Sequence, residues 1–440
     1  MTLSGWGRYP VHSAEVFAPR SYGALADRVK AGSLIARGNG RSYGDSAVSL
    51  RNTVHMRHFN RLIAFDATTG QIVAEAGILL ADIIHAFLPQ GWFPAVTPGT
   101  KFVTLGGMIA ADVHGKNHHI DGSFGSFLDW IDIIDAQGTV RRCSPQENTD
   151  LFAWTIGGMG LTGVILRAAF RLRPVKTAWI KQTILPAANL DKAITLLEQS
   201  VDAPYSVAWI DCLAKGNKLG RSLVMLGQHA TRDDLTKQQQ QTCFDTAVKR
   251  PKSIPFALPP GMLNGVTTRA FNALYFWRGS RTAGTQLVDW DSYFYPLDAV
   301  LGWNKIYGRK GFAQFQCVLP LDQSRTGLQA LLAAISTASA GSFLAVLKRF
   351  GPQQGRFSFP MPGYTLALDF PVTPKTLALM NTLDQITLSH GGRFYLAKDS
   401  RMTAETLRAS DPRTDHFVQM RGDAALRPVF ASAQSERLDL

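Results

Sequence analysis

The hydrophobic positions change period along the chain, and each change marks an element. Leu62-Ile63-Ala64-Phe65 and Gln71-Ile72-Val73-Ala74-Glu75 flank Thr68-Thr69-Gly70 and predict a β-hairpin. Leu80, Ile83, Ile84 and Phe87 then recur at i, i+3, i+4 and i+7, which predicts an amphipathic helix ending near Pro89 and Gly91. A second hairpin is predicted from Trp130–Asp135 to Thr139–Cys143, across Ala136-Gln137-Gly138. The run from Val164 alternates at its end and stops at Pro174, so it reads as a strand. Beyond Pro174 the character changes. A polar helix is expected around Lys237-Gln238-Gln239-Gln240-Gln241, followed by a Pro-rich stretch from Arg250 to Gly265. Phe271, Leu274, Tyr275, Phe276 and Trp277 are expected in the core of this second region, with an addition to the apolar surface of the Pro-rich stretch as the alternative. The final fifty residues return to the glycine-and-charge idiom of the first. The fold class expected is α+β, with residues 178–392 inserted between two parts of one domain, 1–177 and 393–440.

Composition narrows the classes. At 440 residues the chain has room for two or three domains and a closed site. It has no run of about 18 apolar residues, and Met1 to Pro10 lacks the apolar core of a conventional signal peptide. Cys143, Cys212, Cys243 and Cys317 are widely spaced without a CxxC, which fits free thiols in a reducing compartment. A cytoplasmic location is expected, with peripheral contact at the inner face of the plasma membrane as an option. The net charge of +13 suits nucleic acid, anionic lipid or a phosphorylated substrate. Lys and Arg are scattered, however, with no basic run interleaved with aromatics, so nucleic acid is not expected. The Pro-rich 251–261 stretch is too apolar for a plain linker; it reads either as a lid or membrane-touching loop, or as a surface loop packed on its own domain.

Two glycine-rich runs carry the candidate chemistry. Arg37-Gly38-Asn39-Gly40-Arg41-Ser42-Tyr43-Gly44-Asp45 is one. The block from Pro98-Gly99-Thr100 through His114-Gly115-Lys116-Asn117-His118-His119 to Gly122-Ser123-Phe124-Gly125 is the other. Polar residues and glycines held among apolar ones suit a backbone that presses its amides on a ligand. Two such loops suggest one long anionic dinucleotide held at two points, FAD rather than NAD. Gly158-Met159-Gly160-Leu161-Thr162-Gly163 fits GxGxxG literally, but a strand rather than a helix follows it, which argues against a nicotinamide fingerprint. The His114-x3-His118-His119 pattern has no carboxylate or Cys partner within the run, and no metal is expected.

The loop from Gly38 to Asp45, the block from Pro98 to Phe124 and the ending Tyr395-Leu396-Ala397-Lys398-Asp399-Ser400-Arg401 resemble the decaprenylphosphoryl-β-D-ribose 2-oxidase family. The resemblance covers nearly the whole chain, including Trp209, Pro296-Leu297-Asp298, Gly302-Trp303-Asn304, Gln314-Phe315-Gln316 and Phe350-Gly351-Pro352. It implies an FAD-binding domain of the vanillyl-alcohol-oxidase (PCMH) type in two parts, with an inserted α+β substrate domain. It also implies oxidation of the 2-hydroxyl of a polyprenyl-phosphoryl ribose. A separate reductase of the short-chain-dehydrogenase type would complete an epimerisation toward an arabinose donor. The electron acceptor, quinone or oxygen, stays open. A soluble aldonolactone or alditol oxidase is the alternative, and a noncatalytic basic polyanion-binding protein a third reading.

Alcohol oxidation needs hydride transfer to the cofactor and removal of the hydroxyl proton. Lys398, His114 and Tyr43 are the catalytic candidates, with Lys398 as the cation and His114 as proton acceptor or cofactor contact. Candidate cofactor contacts are Arg37, Gly38, Asn39, Gly40, Arg41, Ser42, Tyr43, Pro98, Gly99, Thr100, Thr104, Gly106, Gly107, Ala110, Ala111, His114, Gly115, Asn117, Gly163 and Tyr395. Related oxidases attach FAD through a His in Gly-x-Gly-His-Ser; here that position is Arg41, which cannot form the link, so noncovalent FAD is expected. Gln316, Lys348, Thr365 and Lys398 are the substrate candidates the resemblance implies. Ala367 stands where some members carry Cys, Thr365 where they carry Asn, and Lys305 where they carry Arg.

Overall fold

The computed structural model describes residues 1–246, 251–257, 259, 264–342 and 344–440. Alternating and period-3.6 stretches form the elements they predict. Leu62–Asp66 pairs antiparallel with Gln71–Glu75, and Leu128–Ile134 with Val140–Cys143. Leu80–Phe87 is helical, with Leu80, Ile83, Ile84 and Phe87 all buried. Val164–Pro174 is an 11-residue strand that ends at the expected proline. It sits at the centre of one sheet, between Leu128–Ile134 and Gln71–Glu75, with Trp92–Pro94 pairing against its far end. A small parallel sheet of Glu15–Phe17, Asn52–His55 and Leu34–Arg37 lies beside it.

A second sheet of eight strands runs, in spatial order, Gly284–Asp289, Trp179–Ala187, Ser222–His229, Tyr205–Ile210, Ala345–Phe350, Gly363–Pro371, Phe312–Pro320 and Arg393–Phe394. Every neighbour pair in it is antiparallel. Such strands can present two chemistries by alternation. On one face Leu347, Leu366, Leu368, Phe315 and Cys317 are buried in the hydrophobic core that includes Leu328, Leu331 and Leu332 of the Leu321–Ala338 helix. On the other face Val346, Lys348, Ala367, Asp369, Gln314 and Gln316 turn to a cavity. The chain leaves this sheet after Phe394 and returns to the first region, where Phe430 bridges Leu34 and packs with Leu25 and Val29.

Two expectations need correction or limits. Phe271, Leu274, Tyr275 and Trp277 are not core residues: they lie exposed on the Gly265–Arg281 helix, and only Phe276 of the five is half-buried. The residues that helix does bury are Thr268 and Asn272, with Asn272 donating to the Asp211 carboxylate at 2.7 Å, so a polar bond sets its orientation. In the Pro-rich stretch, Arg250, Leu258 and residues 260–263 lie outside the described residues. Within the described part, Lys252–Ser253 pairs parallel with Val300–Leu301, and Phe256 is exposed. The four cysteines are all free and buried.

Candidate active site

A cavity of about 760 Å³ lies between the two glycine-rich runs and the polar face of the eight-stranded sheet. The first run leaves the strand Leu34–Arg37 and turns at Gly40, whose φ of +62° suits glycine. Gly38, Asn39, Gly40, Arg41, Ser42 and Tyr43 all line the cavity. The two runs are tied together. The Asn39 amide donates to the Phe102 carbonyl at 2.8 Å, and a Cβ on Gly38 would stand 2.1 Å from Thr104 Oγ1. Thr104 Oγ1 in turn accepts from the Gly107 amide at the start of the Leu105–Ala110 helix. Pro98, Gly99, Thr100, Thr104, Gly106, Gly107, Ala110, Ala111, His114 and Gly115 line the same space, as does Gly163.

Three predicted residues sit elsewhere. Arg37 turns its guanidinium away, donating to the Ala47 carbonyl at 3.2 Å and the Ser4 carbonyl at 2.8 Å. Asn117 is fully buried and donates to the Ala95 carbonyl and the Asp121 carboxylate, so it fixes the turn of the block. Thr365 is on the cavity face of its strand but buried beneath Gln316, donating to the Cys317 carbonyl at 2.7 Å and accepting from Gln316 at 3.3 Å. These three hold the lining residues in place. Lys305 also lies off the cavity, bonded to the Ile254 carbonyl.

The remaining candidates converge. Lys398 Nζ lies 3.6 Å from the centroid of the Tyr43 ring, and the Tyr43 amide donates to the Ala397 carbonyl at 3.0 Å. Tyr395 stacks on Phe359 at 4.7 Å, and its hydroxyl donates to the Ala111 carbonyl at 3.0 Å. The His114 ring lies 5.1 Å from the Tyr395 ring, with Gln316 Nε2 3.2 Å from His114 Nε2. Since the Gln316 amide can only donate there, Nε2 is the accepting nitrogen and the proton sits on Nδ1. Burial, with the charges of Lys348, His118 and Lys398, holds the His114 pKa well below the usual histidine range, so the ring is neutral.

Three lysines share the cavity wall. Burial lowers Lys348 to about 8, and burial with the Lys348 charge lowers Lys116 to about 7. The Lys116 ammonium donates to the Tyr293 carbonyl and lies over the Tyr293 ring. Burial also lowers the pKa of Lys398, opposed by the negative charge of Asp369; burial raises the pKa of Asp369 in turn. Among the described residues, the Lys348 and Lys398 ammoniums have no hydrogen-bonded carboxylate. Buried ammoniums with no hydrogen-bonded carboxylate, and with Asp369 as the negative charge felt by Lys398, suit an anionic ligand.

Asp369 and Asp298 are the groups that sequence reasoning did not assign a role, and Lys116, expected to serve the cofactor or the fold, stands on the substrate side of the cavity with Lys348. Asp369 Oδ1 accepts from Gln314 while Oδ2 has no partner, and Asp298 Oδ2 accepts from the Lys101 amide at 2.8 Å. The usable signal for Asp369 was its period-two spacing from Ala367 on one strand face. The three histidines of the 114–119 run have separate partners: Gln316 for His114, Gln353 for His118 and the Ala203 carbonyl for His119.

Residues 14–144 match the family model of an FAD binding domain. Over 449 aligned positions, covering 100% of this chain and 97% of the relative, the sequence is 36% identical to decaprenylphosphoryl-beta-D-ribose oxidase of Mycolicibacterium smegmatis. The chain belongs to the decaprenylphosphoryl-β-D-ribose oxidase family. Shorter matches reach cytokinin dehydrogenase 5 of Arabidopsis thaliana, 30% identical over 33% of this chain and 28% of the relative. L-gulonolactone oxidase of Mus musculus is 31% identical over 31% of each chain. Membership in the oxidase family makes the protein an FAD-dependent oxidoreductase acting on a CH–OH group, with FAD as its cofactor. The vanillyl-alcohol-oxidase type α+β fold goes with it.

The residues present fit that cofactor. Arg41 Nε is buried without a partner, while the guanidinium is braced over the Trp6 ring at 4.1 Å. A Cβ on Gly99 would meet nothing within 4 Å, so the backbone there stands open to a ligand. A guanidinium whose Nε has no hydrogen-bond partner, beside the open backbone at Gly99, matches the donors a pyrophosphate requires.

Proposed function

We propose that the chain oxidises the 2-hydroxyl of a polyprenyl-phosphoryl-β-D-ribose to the 2-keto sugar. The observation that carries this is the whole-length similarity to an oxidase of decaprenylphosphoryl ribose, joined to a cavity whose inner wall bears Lys116, Lys348 and Lys398. An aldonolactone has no phosphate to meet those cations, and the match to a lactone oxidase covers only 31% of the chain.

Bound FAD supplies the hydride acceptor. Residues 1–177 and 393–440 are read as its domain, and residues 178–392 as the inserted substrate domain. Gly38 to Tyr43, Pro98 to Thr100 and Thr104 to Ala111 would hold it, with Arg41 against the pyrophosphate and no covalent link. Lys348 and Lys116 hold the substrate phosphate. Gln316 orients the sugar by a hydroxyl contact, and Thr365 on the neighbouring strand fixes the Gln316 amide by accepting from it. Lys398, stacked on Tyr43, places a positive charge at the reacting hydroxyl and stabilises negative charge as it develops. Neutral His114 can take the hydroxyl proton on Nε2 once the Gln316 amide, which occupies that lone pair here, turns to the sugar. Phe350, Phe359 and Tyr395 crowd the His114 ring and exclude water around it.

The keto product needs a separate reductase to deliver the epimer, an arabinose donor for cell-envelope glycans. Electrons leave to quinone or oxygen. Among the described residues, no helix is long and apolar enough to cross a membrane. The test is product analysis: reduction with borodeuteride after turnover should place one deuterium on C2 of the sugar. Label at C1 or C5, or none, would overturn the assignment. Flavin released into the supernatant on acid precipitation is expected from the Arg41 reading; flavin retained in the pellet would refute it.

A further inference from the structure

The Gly265–Arg281 helix carries apolar residues on both its inner and its outer side. Its buried positions are Thr268 and Asn272, whereas Val266, Leu274 and Trp277 are 73%, 61% and 51% exposed. At 100° per residue, Val266, Ala270, Leu274 and Trp277 fall on the face opposite Thr268 and Asn272. The side turned to the eight-stranded sheet is fixed by close approach: a Cβ on Gly279 would lie 2.2 Å from Leu223, and Phe276 packs with Ile184, Trp209 and Leu223. The outward apolar face is therefore a set feature of the fold.

Two further observations say what covers it. The helix carries Arg269, Arg278 and Arg281 and no Asp or Glu, and the Arg281 guanidinium lies over the Trp277 ring at 4.3 Å. Apolar residues with Trp on one face and flanking arginines are the pattern of a helix lying in a lipid interface, its cations reaching the headgroups. The same helix also reaches the active-site cavity, which Phe271 and Tyr275 line, with Tyr275 packed on Trp209 at 4.7 Å.

We propose that the Val266–Trp277 face docks the protein on an anionic bilayer, with the cavity mouth against the membrane. The apolar face spans about 16 Å at the helical rise, enough to seat one side of the helix at the headgroup boundary. A lipid-linked sugar then passes from membrane to cavity along Phe271 and Tyr275 with its isoprenoid tail still in apolar surroundings. This use of the face rests on the substrate reading above; the docking itself does not.

The test sediments the flavin-loaded full chain with vesicles of phosphatidylcholine, with and without phosphatidylglycerol. Binding is expected to the anionic vesicles and to fall with salt. Leu274→Glu with Trp277→Glu should weaken partition at least about tenfold, since two large apolar groups lose their burial. Arg278→Gln with Arg281→Gln should remove most of the salt dependence. The flavin spectrum, and turnover of a short-chain soluble phosphoryl ribose, should match wild type in all of these variants. Absence of wild-type binding to both vesicle types, or equal binding by the Glu variant, overturns the proposal. So does wild-type self-association that the Glu variant abolishes, which would assign the face to a second copy. If the phosphoryl ribose is not oxidised while vesicle binding holds, the substrate reading fails alone.

Discussion

The two walls of the cavity are built on opposite principles. The cofactor wall is mostly backbone: glycines and small residues from residues 38–43 and 98–115, tied by Asn39 to Phe102 and by Thr104 to Gly107. The substrate wall is mostly side chain: Gln316, Lys348 and Asp369 stand on three neighbouring strands, with Lys398 reaching in from the C-terminal segment. Backbone donors cannot be removed by truncating side chains, so the cofactor wall fails through shape. The substrate wall fails through charge, one residue at a time.

The largest effect is expected from attacking shape. Gly38→Val would force atoms against Thr104 Oγ1 and break the tie between the loops, so purified protein should retain little or no flavin by absorbance. Retention of full flavin would erase the contrast. Lys398→Ala should keep the flavin and lower kcat by about two to three orders of magnitude, the range for losing one preorganised electrostatic partner. Lys348→Ala should act mainly on KM, raising it about ten- to a hundredfold as a charge-assisted phosphate contact is lost, with little change in kcat.

A pH titration sharpens the same point. Lys348 is held at about 8 and Lys116 at about 7 by burial, so both are charged below those values and lose their charge as pH rises through them. Affinity for a phosphodiester substrate, whose own charge is constant there, should fall on going from pH 6 to pH 9, and the fall should be smaller in Lys348→Met. An affinity flat over that range would contradict the phosphate role. The smallest effect is expected from Tyr395→Phe, which removes one hydrogen bond to the Ala111 carbonyl and should cost about 1 kcal/mol of stability by thermal unfolding.

The same contrast explains what the sequence made legible. The cofactor wall is written in short contiguous runs, and its members Gly38 to Tyr43 and Pro98 to Thr100 all reach the cavity. Within such runs the pattern cannot separate a residue that touches ligand from one that holds the loop, and Arg37 and Asn117 are of the second kind. The substrate wall joins residues tens of positions apart, from Gln316 to Lys398, and strand alternation decides which of two neighbours faces inward. Alternation puts Thr365 on the face of Ala367 and Asp369, but its hydroxyl is taken up by the Cys317 carbonyl and the Gln316 amide, a pairing the pattern does not show. The Gly265–Arg281 helix misled for a different reason. Its aromatic cluster looks like core, but the bond from Asn272 to Asp211 turns the opposite face inward.

The most direct test is anaerobic mixing of the flavin-loaded protein with a short-chain polyprenyl-phosphoryl-β-D-ribose, followed at the visible flavin bands, alongside an aldonolactone. The account predicts rapid bleaching by the phosphoryl ribose, slowed strongly in Lys398→Ala, and none by the lactone. Bleaching by the lactone alone would contradict it.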